Sequence, residues 1–150
     1  MPIGDVCVRD VVVTGRETTV RDAAKLMAQH HVGNLVVVRE EAGGRVVPIG
    51  IITDRDIVRN VVAEALDPAV FTLADLGVRE LVTVREDQGV FECMQHMRMS
   101  AIRRMPVVDR DGRLVGIISL DDLIQLLAEE MGELAQAISR EQAHEAAIKR

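Results

Sequence analysis

Apolar and polar positions follow one pattern twice along the chain. Residues 8–38 match residues 78–108 at a constant offset of 70, and residues 50–53 match residues 116–119 at an offset of 66. The four-residue difference falls in one loop, where a tight turn in the second copy replaces residues 39–48 of the first. Because loops between strands accept insertions readily, this pattern predicts two copies of one structural unit.

Each copy contains a helix whose apolar residues recur at i, i+3, i+4 and i+7, which predicts one buried helix face. These residues are Val20, Ala23, Ala24 and Met27 in the first copy, and Val90, Cys93, Met94 and Met97 in the second. Two strands and another helix follow in each copy. We place the strands at residues 35–38, 46–52, 105–108 and 114–118, and the start of the following helix at Thr53 or Ser119.

The resulting unit is β-α-β-β-α, which belongs to the α/β (α+β) class. Three strands bury too little core to stand alone. We therefore expect two pseudo-symmetric repeats, residues 5–68 and 76–130, to pack their sheets together into one module. Pro68 is expected to end the preceding helix, and residues 69–77 to form a connector.

Residues 131–150 are predicted to form a C-terminal helical extension. The chain has no proline from Asp121 to Lys149, and apolar residues keep roughly helical spacing at Leu123, Leu126, Leu127, Met131, Leu134 and Ile138. Gly132 is expected to kink or end this helix, which would make the last stretch a separate helix. An apolar stripe beyond the core usually packs against something, here most simply the same element of a second subunit. A frayed, solvated tail over residues 139–150 is the alternative.

The net charge of −6 and the pI near 5.2 argue against a partner such as nucleic acid or an acidic membrane. No segment approaches the roughly 18 consecutive apolar residues of a membrane span. The N-terminus lacks the basic start and apolar run of a signal peptide, so we expect a cytoplasmic protein. Cys7 and Cys93 stand outside any metal-ligand spacing, and both are expected to be reduced.

A hydroxyl and a carboxylate stand one helical turn apart at two matching places, Thr53-x-x-Asp56 and Ser119-x-x-Asp122. At a helix N-terminus the hydroxyl and the free N–H groups can hold a phosphate, and the carboxylate can accept from the hydroxyls of a ribose. The same pattern is a capping box, which stabilises a helix without any ligand. The four-residue pattern alone favours capping, whereas its repetition behind a Gly-Ile-Ile run favours binding.

Catalytic and metal sites are not expected. His30 and His31 are adjacent, so they point to different sides of a helix, and no further His or Cys lies near them in sequence. Nothing resembles a nucleophile with its base, a phosphate-binding Gly-rich loop or a carboxylate pair for acid–base chemistry. We therefore expect neither an enzyme nor a catalytic cofactor.

The repeats resemble a tandem pair of cystathionine beta-synthase (CBS) domains over about residues 5–130. The most specific parts are GIITDRD at residues 50–56, GIISLDD at 116–122 and IRRMPVVD at 102–109. The resemblance implies a pair of clefts between the two domains that bind adenosine ligands such as AMP, ADP, ATP, NAD or S-adenosylmethionine. It also implies a homodimer, because related modules pair into a flat disc through their helices.

By this resemblance the Asp of each motif contacts ribose, the Ser or Thr contacts ribose or phosphate, and a basic residue at the place of Arg104 reaches the phosphate. We rank one cleft first, formed by Val12, Arg103, Arg104, Pro106, Ile117, Ser119 and Asp122. The weaker cleft comprises Asn34, Ile51, Thr53, Asp56 and Val82. It is expected to hold phosphate less well because Gly33-Asn34 stands where the second repeat has Arg103-Arg104. The alternatives are that the arginines are solvated surface charges and that the apolar residues only pack the core.

Two hypotheses for function follow. The first is a free-standing regulatory sensor that binds an adenine nucleotide between the repeats and signals to a separate effector protein. The second is a ligand-free dimeric adaptor between proteins, which the absence of basic residues at positions 33 and 34 favours slightly.

Overall fold

The computed structural model describes residues 1–77 and 81–149. The first repeat contains β1 (Val13–Gly15), α1 (Val20–His30), β2 (Asn34–Glu41), β3 (Arg45–Thr53) and α2 (Asp54–Ile57), which continues as a π-helical turn over Val58–Val62. The second contains β4 (Val84–Arg85), α3 (Val90–Ser100), β5 (Arg104–Val108), β6 (Leu114–Ser119) and α4 (Leu120–Ile148). The predicted α/β fold with two β-α-β-β-α repeats is confirmed. Residues 78–80 and 150, which the predicted second repeat and C-terminal extension include, lie outside the described residues.

Each repeat forms its own three-stranded sheet, in the order β1-β2-β3 and β4-β5-β6. In both sheets the first strand runs parallel to the second, and the second runs antiparallel to the third. The register places Asn34 opposite Thr53 in one sheet and Arg104 opposite Ser119 in the other. The sheets meet where β3 contacts β6, so these two pairs lie near the junction of the repeats.

The two hydrophobic cores exchange their leading segments. Ile3 is fully buried in the core of the second repeat, and Leu73, 70 positions later, is buried in the core of the first. The Ile3 N–H donates to the carbonyl of Gln88 at 2.8 Å, and the Leu73 N–H donates to the carbonyl of Thr18 at 2.9 Å. Each repeat therefore needs a segment that precedes the other repeat, which explains why the two form one module.

The exchanged N-terminal segment runs close to β6. Val8 and Ile117 exchange two backbone hydrogen bonds of 2.9 Å. A Cβ at Gly116 would lie 2.7 Å from the Cys7 sulfur and 2.9 Å from the Val8 carbonyl oxygen, so only glycine allows this approach. Burial raises the pKa of the Cys7 thiol and raises that of Cys93 to about 11, which keeps both thiols protonated at neutral pH.

Two expected helix boundaries are wrong. The helix of the first repeat ends at Val62 rather than near Pro68, because Ala65 adopts a left-handed conformation with φ of 53° and closes the turn. Gly132 does not end α4, which is continuous from Leu120 to Ile148. A helical glycine is less favourable than alanine by only about 1 kcal/mol, which the surrounding alanine, leucine and glutamate residues offset.

Candidate functional site

Both helix N-termini that follow the sheets carry a complete capping box. The Asp56 N–H donates to the Thr53 hydroxyl at 3.1 Å, and the Thr53 N–H donates to Oδ2 of Asp56 at 3.0 Å. Ser119 and Asp122 repeat the arrangement at 3.1 and 2.9 Å. The cap that competes with ligand binding as an explanation of the motif is therefore formed in both repeats. A carboxylate has about four acceptor positions, so capping and ribose binding are compatible.

A cavity of about 630 Å³ opens beside the Thr53 cap, and we call it the Asp56 cavity. Its described lining contains four arginines and two aspartates: Arg55, Arg59, Arg103, Arg104, Asp54 and Asp56. The volume lies within the range of roughly 300–1,000 Å³ that is usual for small-molecule sites. Guanidinium groups bind phosphate oxygens in a bidentate manner, so this cavity has the size and the charge for a phosphorylated ligand.

A smaller cavity of about 230 Å³ opens beside the Ser119 cap, and we call it the Asp122 cavity. The charged residues in its described lining are three aspartates and one arginine: Asp10, Asp121, Asp122 and Arg104. Its volume is below the usual range for ligand sites. The excess of carboxylates disfavours a phosphate and favours a neutral or cationic group.

Asn34 and Arg104 line both cavities. The strand register explains this position, because each of these residues pairs with the cap residue of its own repeat at the junction of the two sheets. The cavities therefore adjoin, and a change at either residue alters both of them.

The structure brings together all five residues predicted for the weaker cleft. Asn34, Ile51, Thr53, Asp56 and Val82 line the Asp56 cavity. Of the residues predicted for the stronger cleft, the Asp122 cavity is lined by Val12, Arg104, Ile117, Ser119 and Asp122.

The other two residues of the predicted stronger cleft lie elsewhere. Arg103 lines the Asp56 cavity, although its Nη2 also donates to Asp121 at 3.2 Å. Pro106 is fully buried in β5 and lies outside the lining of either cavity. Of the two arginines predicted for the Asp122 cleft, Arg104 therefore lines it and Arg103 lines the neighbouring cavity.

Two arginines of the larger cavity were not predicted from the sequence. Arg55 and Arg59 lie four positions apart on one side of the helical segment that follows Thr53, facing the larger cavity. At the offset of 66, Arg55 aligns with Asp121 and Arg59 aligns with Gln125. A comparison of the two copies at every position from the motif onward, rather than only before it, would have revealed this difference in charge.

The described residues contain no group of three or more His, Cys, Asp or Glu side chains that could hold a metal ion. Within residues 1–77 and 81–149, no helix has the length and apolar character needed to cross a bilayer.

The family model of the CBS domain matches residues 3–63 and 73–129, which together make up most of the chain. This chain belongs to the CBS domain family. Its two repeats are the two CBS domains, and residues of both domains line each of the two cavities.

Curated proteins match this chain in sequence. The Methanopyrus kandleri protein MK0525 is 36% identical over 124 residues, which cover 83% of this chain. The chain spans 61% and 59% of the first two curated relatives that it matches, or about three fifths of their length.

Two solved structures of CBS domain proteins contain adenosine ligands. PAE2072 from Pyrobaculum aerophilum, in complex with AMP, has a TM-score of 0.72 and 26% identity, covering 86% of this chain and 99% of that chain. The CBS domain pair of MJ0100, in complex with 5′-methylthioadenosine and S-adenosylmethionine, has a TM-score of 0.71 and 26% identity, covering 85% and 99%.

Proposed function

We propose that this CBS domain pair is a regulatory module that binds a phosphorylated adenosine ligand (AMP, ADP, ATP or NAD) and transmits the binding to a separate effector protein. We further propose that the Asp56 cavity, rather than the Asp122 cavity, is the main site. The observation that carries the proposal is the set of four arginines beside a Thr53–Asp56 cap in a cavity of about 630 Å³.

The arrangement supplies a partner for each part of such a ligand. Arg55, Arg59 and Arg104 lie where they can neutralise phosphates, and the N-terminus of the following helix adds a favourable dipole. Asp56 can accept from ribose hydroxyls, and Ile51 and Val82 offer apolar surface to a base. The adenosine ligands in the two neighbouring structures support adenosine as the common part.

A ligand-free adaptor is less well supported than the sequence indicated. Its main support was the absence of basic residues at positions 33 and 34. The larger cavity receives Arg103 and Arg104 from the second repeat and Arg55 and Arg59 from its own helix, so it does not lack positive charge.

Isothermal titration of the full chain with adenosine, AMP, ADP, ATP and NAD tests the proposal. GTP and inorganic triphosphate serve as controls, because they share the phosphates of ATP without the adenine. We expect at least one of the phosphorylated adenosine ligands to bind at micromolar concentration, more tightly than either control. Equal affinity for ATP and triphosphate would mean that the site binds anions in general. If none of the adenosine ligands bound at millimolar concentration, the proposal of a nucleotide sensor would be refuted.

A further inference from the structure

Helix α4 carries an apolar stripe over residues 124–138 that no other part of the described chain covers. Ile124, Leu127, Met131, Leu134 and Ile138 are between 39% and 71% exposed. Leu123 and Leu126, on another face of the helix, pack against the core of the second repeat. Every residue of α4 from Leu127 onward is exposed, so this part of the helix extends away from the module.

The stripe has the spacing of a coiled coil rather than that of a helix on a globular core. Its residues are separated by three, four, three and four positions, which is the a and d pattern of two heptads. The a positions are Ile124, Met131 and Ile138, and the d positions are Leu127 and Leu134. A repeat of 3.5 residues keeps a seam facing one partner helix along its length, here over roughly 21 Å.

We propose that residues 124–138 of α4 form a two-stranded, parallel and in-register coiled coil with the same segment of a second copy of this chain. In parallel coiled coils, β-branched residues at a with Leu at d favour two strands. Here Ile occupies two of the three a positions and Leu occupies both d positions. The contact uses none of the residues that line the two cavities.

The number of seam residues supports the parallel orientation. A parallel, in-register pair stacks each a residue on its equivalent and each d residue on its equivalent, so all five layers form. An antiparallel pair places each a opposite a d, and with three a and two d residues every register leaves Ile124 or Ile138 without a partner.

The charges flanking the seam are compatible with an identical partner. In the parallel register, Glu130 at g faces Ala135 of the second copy, and Ala137 at g faces Gln142 of the second copy, so no like charges meet. The next d and a positions are Glu141 and Glu145, whose burial in pairs would be strongly unfavourable. The seam therefore ends after Ile138.

Analytical ultracentrifugation of the full chain and of the variants Leu134→Lys and Gln136→Lys tests the seam. Gln136 occupies an outward-facing f position on the same exposed stretch, so its variant is matched in position and charge. We expect the parent and Gln136→Lys to be dimers, and Leu134→Lys to dissociate at least tenfold more readily. Circular dichroism checks that both variants are folded. Loss of the dimer should lower the thermal midpoint of Leu134→Lys, whereas Gln136→Lys should unfold like the parent. A monomeric parent, or a Leu134→Lys dimer as stable as the parent, would overturn the proposal.

Cysteine cross-linking tests the orientation. We expect Ile138→Cys to form a disulfide-linked dimer on mild oxidation, because equivalent a positions meet in a parallel pair. Gln136→Cys, which points outward, should not cross-link above the background that Cys7 and Cys93 give in the parent chain. A dimer in which Ile138→Cys gives only background would refute the parallel register, since an antiparallel pair separates the two Ile138 positions by several turns.

Discussion

The Asp56 and Asp122 cavities share one backbone design but differ in charge. Both contain a capping box, a Gly-Ile-Ile strand end and the side chains of Asn34 and Arg104. The larger has four arginines against two aspartates in its described lining, whereas the smaller has one arginine against three aspartates. The comparison indicates that the repeated motif maintains the fold and the cap. The difference in charge comes from a residue inside the motif, Arg55 against Asp121, and from Arg59, three positions after it.

The largest effect is expected from removing the arginines that only the Asp56 cavity receives from its own helix. Replacing Arg55 and Arg59 together with alanine should weaken ATP binding by about 100-fold, because each charged hydrogen bond to phosphate contributes roughly tenfold or more. Titration calorimetry provides the measurement. The matched control is Arg21→Ala with Arg98→Ala, which removes two exposed arginines outside both linings. Equal losses in the two double variants would show that only net charge matters.

Arg104 should have the next largest effect, because it lines both cavities. Arg104→Asn gives the second repeat the residue found at the matching position of the first. We expect ATP affinity to fall by about tenfold at the Asp56 cavity, and Arg104→Lys to restore only part of it, since an ammonium group lacks the bidentate geometry of guanidinium. Full restoration by lysine would mean that Arg104 acts through charge alone.

The two caps allow stability to be separated from binding. Thr53→Ala and Ser119→Ala should each lower the free energy of unfolding by about 1 kcal/mol, because each removes the side-chain acceptor of a helix N-cap. Urea unfolding measures this change. Only Thr53→Ala should also weaken ATP binding, by about fivefold. Thr53→Ser should keep the stability and the ATP affinity of the parent. If Ser119→Ala weakens ATP binding more than Thr53→Ala does, the Asp122 cavity is the main site and our assignment is reversed.

The elements of this fold could be predicted from sequence because their signals are local. The helical spacing from Val20 to Met27 and the cap at Ser119 each lie within a few residues and recur in both copies. The assignment of Arg103 to a cavity could not be predicted in this way, because Arg103 lies just before β5 and the cavity that it lines is built on the motif of the other repeat. Similarly, the burial of Ile3 in the second repeat and of Leu73 in the first depends on long-range packing.

The smallest effect is expected at Asp121, where neutralising one carboxylate should make the Asp122 cavity more tolerant of phosphate. The Asp121 side chain is 73% exposed and that of its ion-pair partner, Arg103, is 68% exposed. Solvent therefore screens the charge of Asp121. The test uses a chain in which Arg55→Ala and Arg59→Ala have weakened binding at the Asp56 cavity. In that chain, Asp121→Asn should improve AMP affinity at the Asp122 cavity by about threefold at low salt. At about 1 M salt, where the Debye length is near 3 Å, the gain should disappear. A gain that persists at high salt would mean that the amide contacts the ligand directly, and the absence of any gain would mean that the size of the cavity, rather than its charge, excludes the nucleotide.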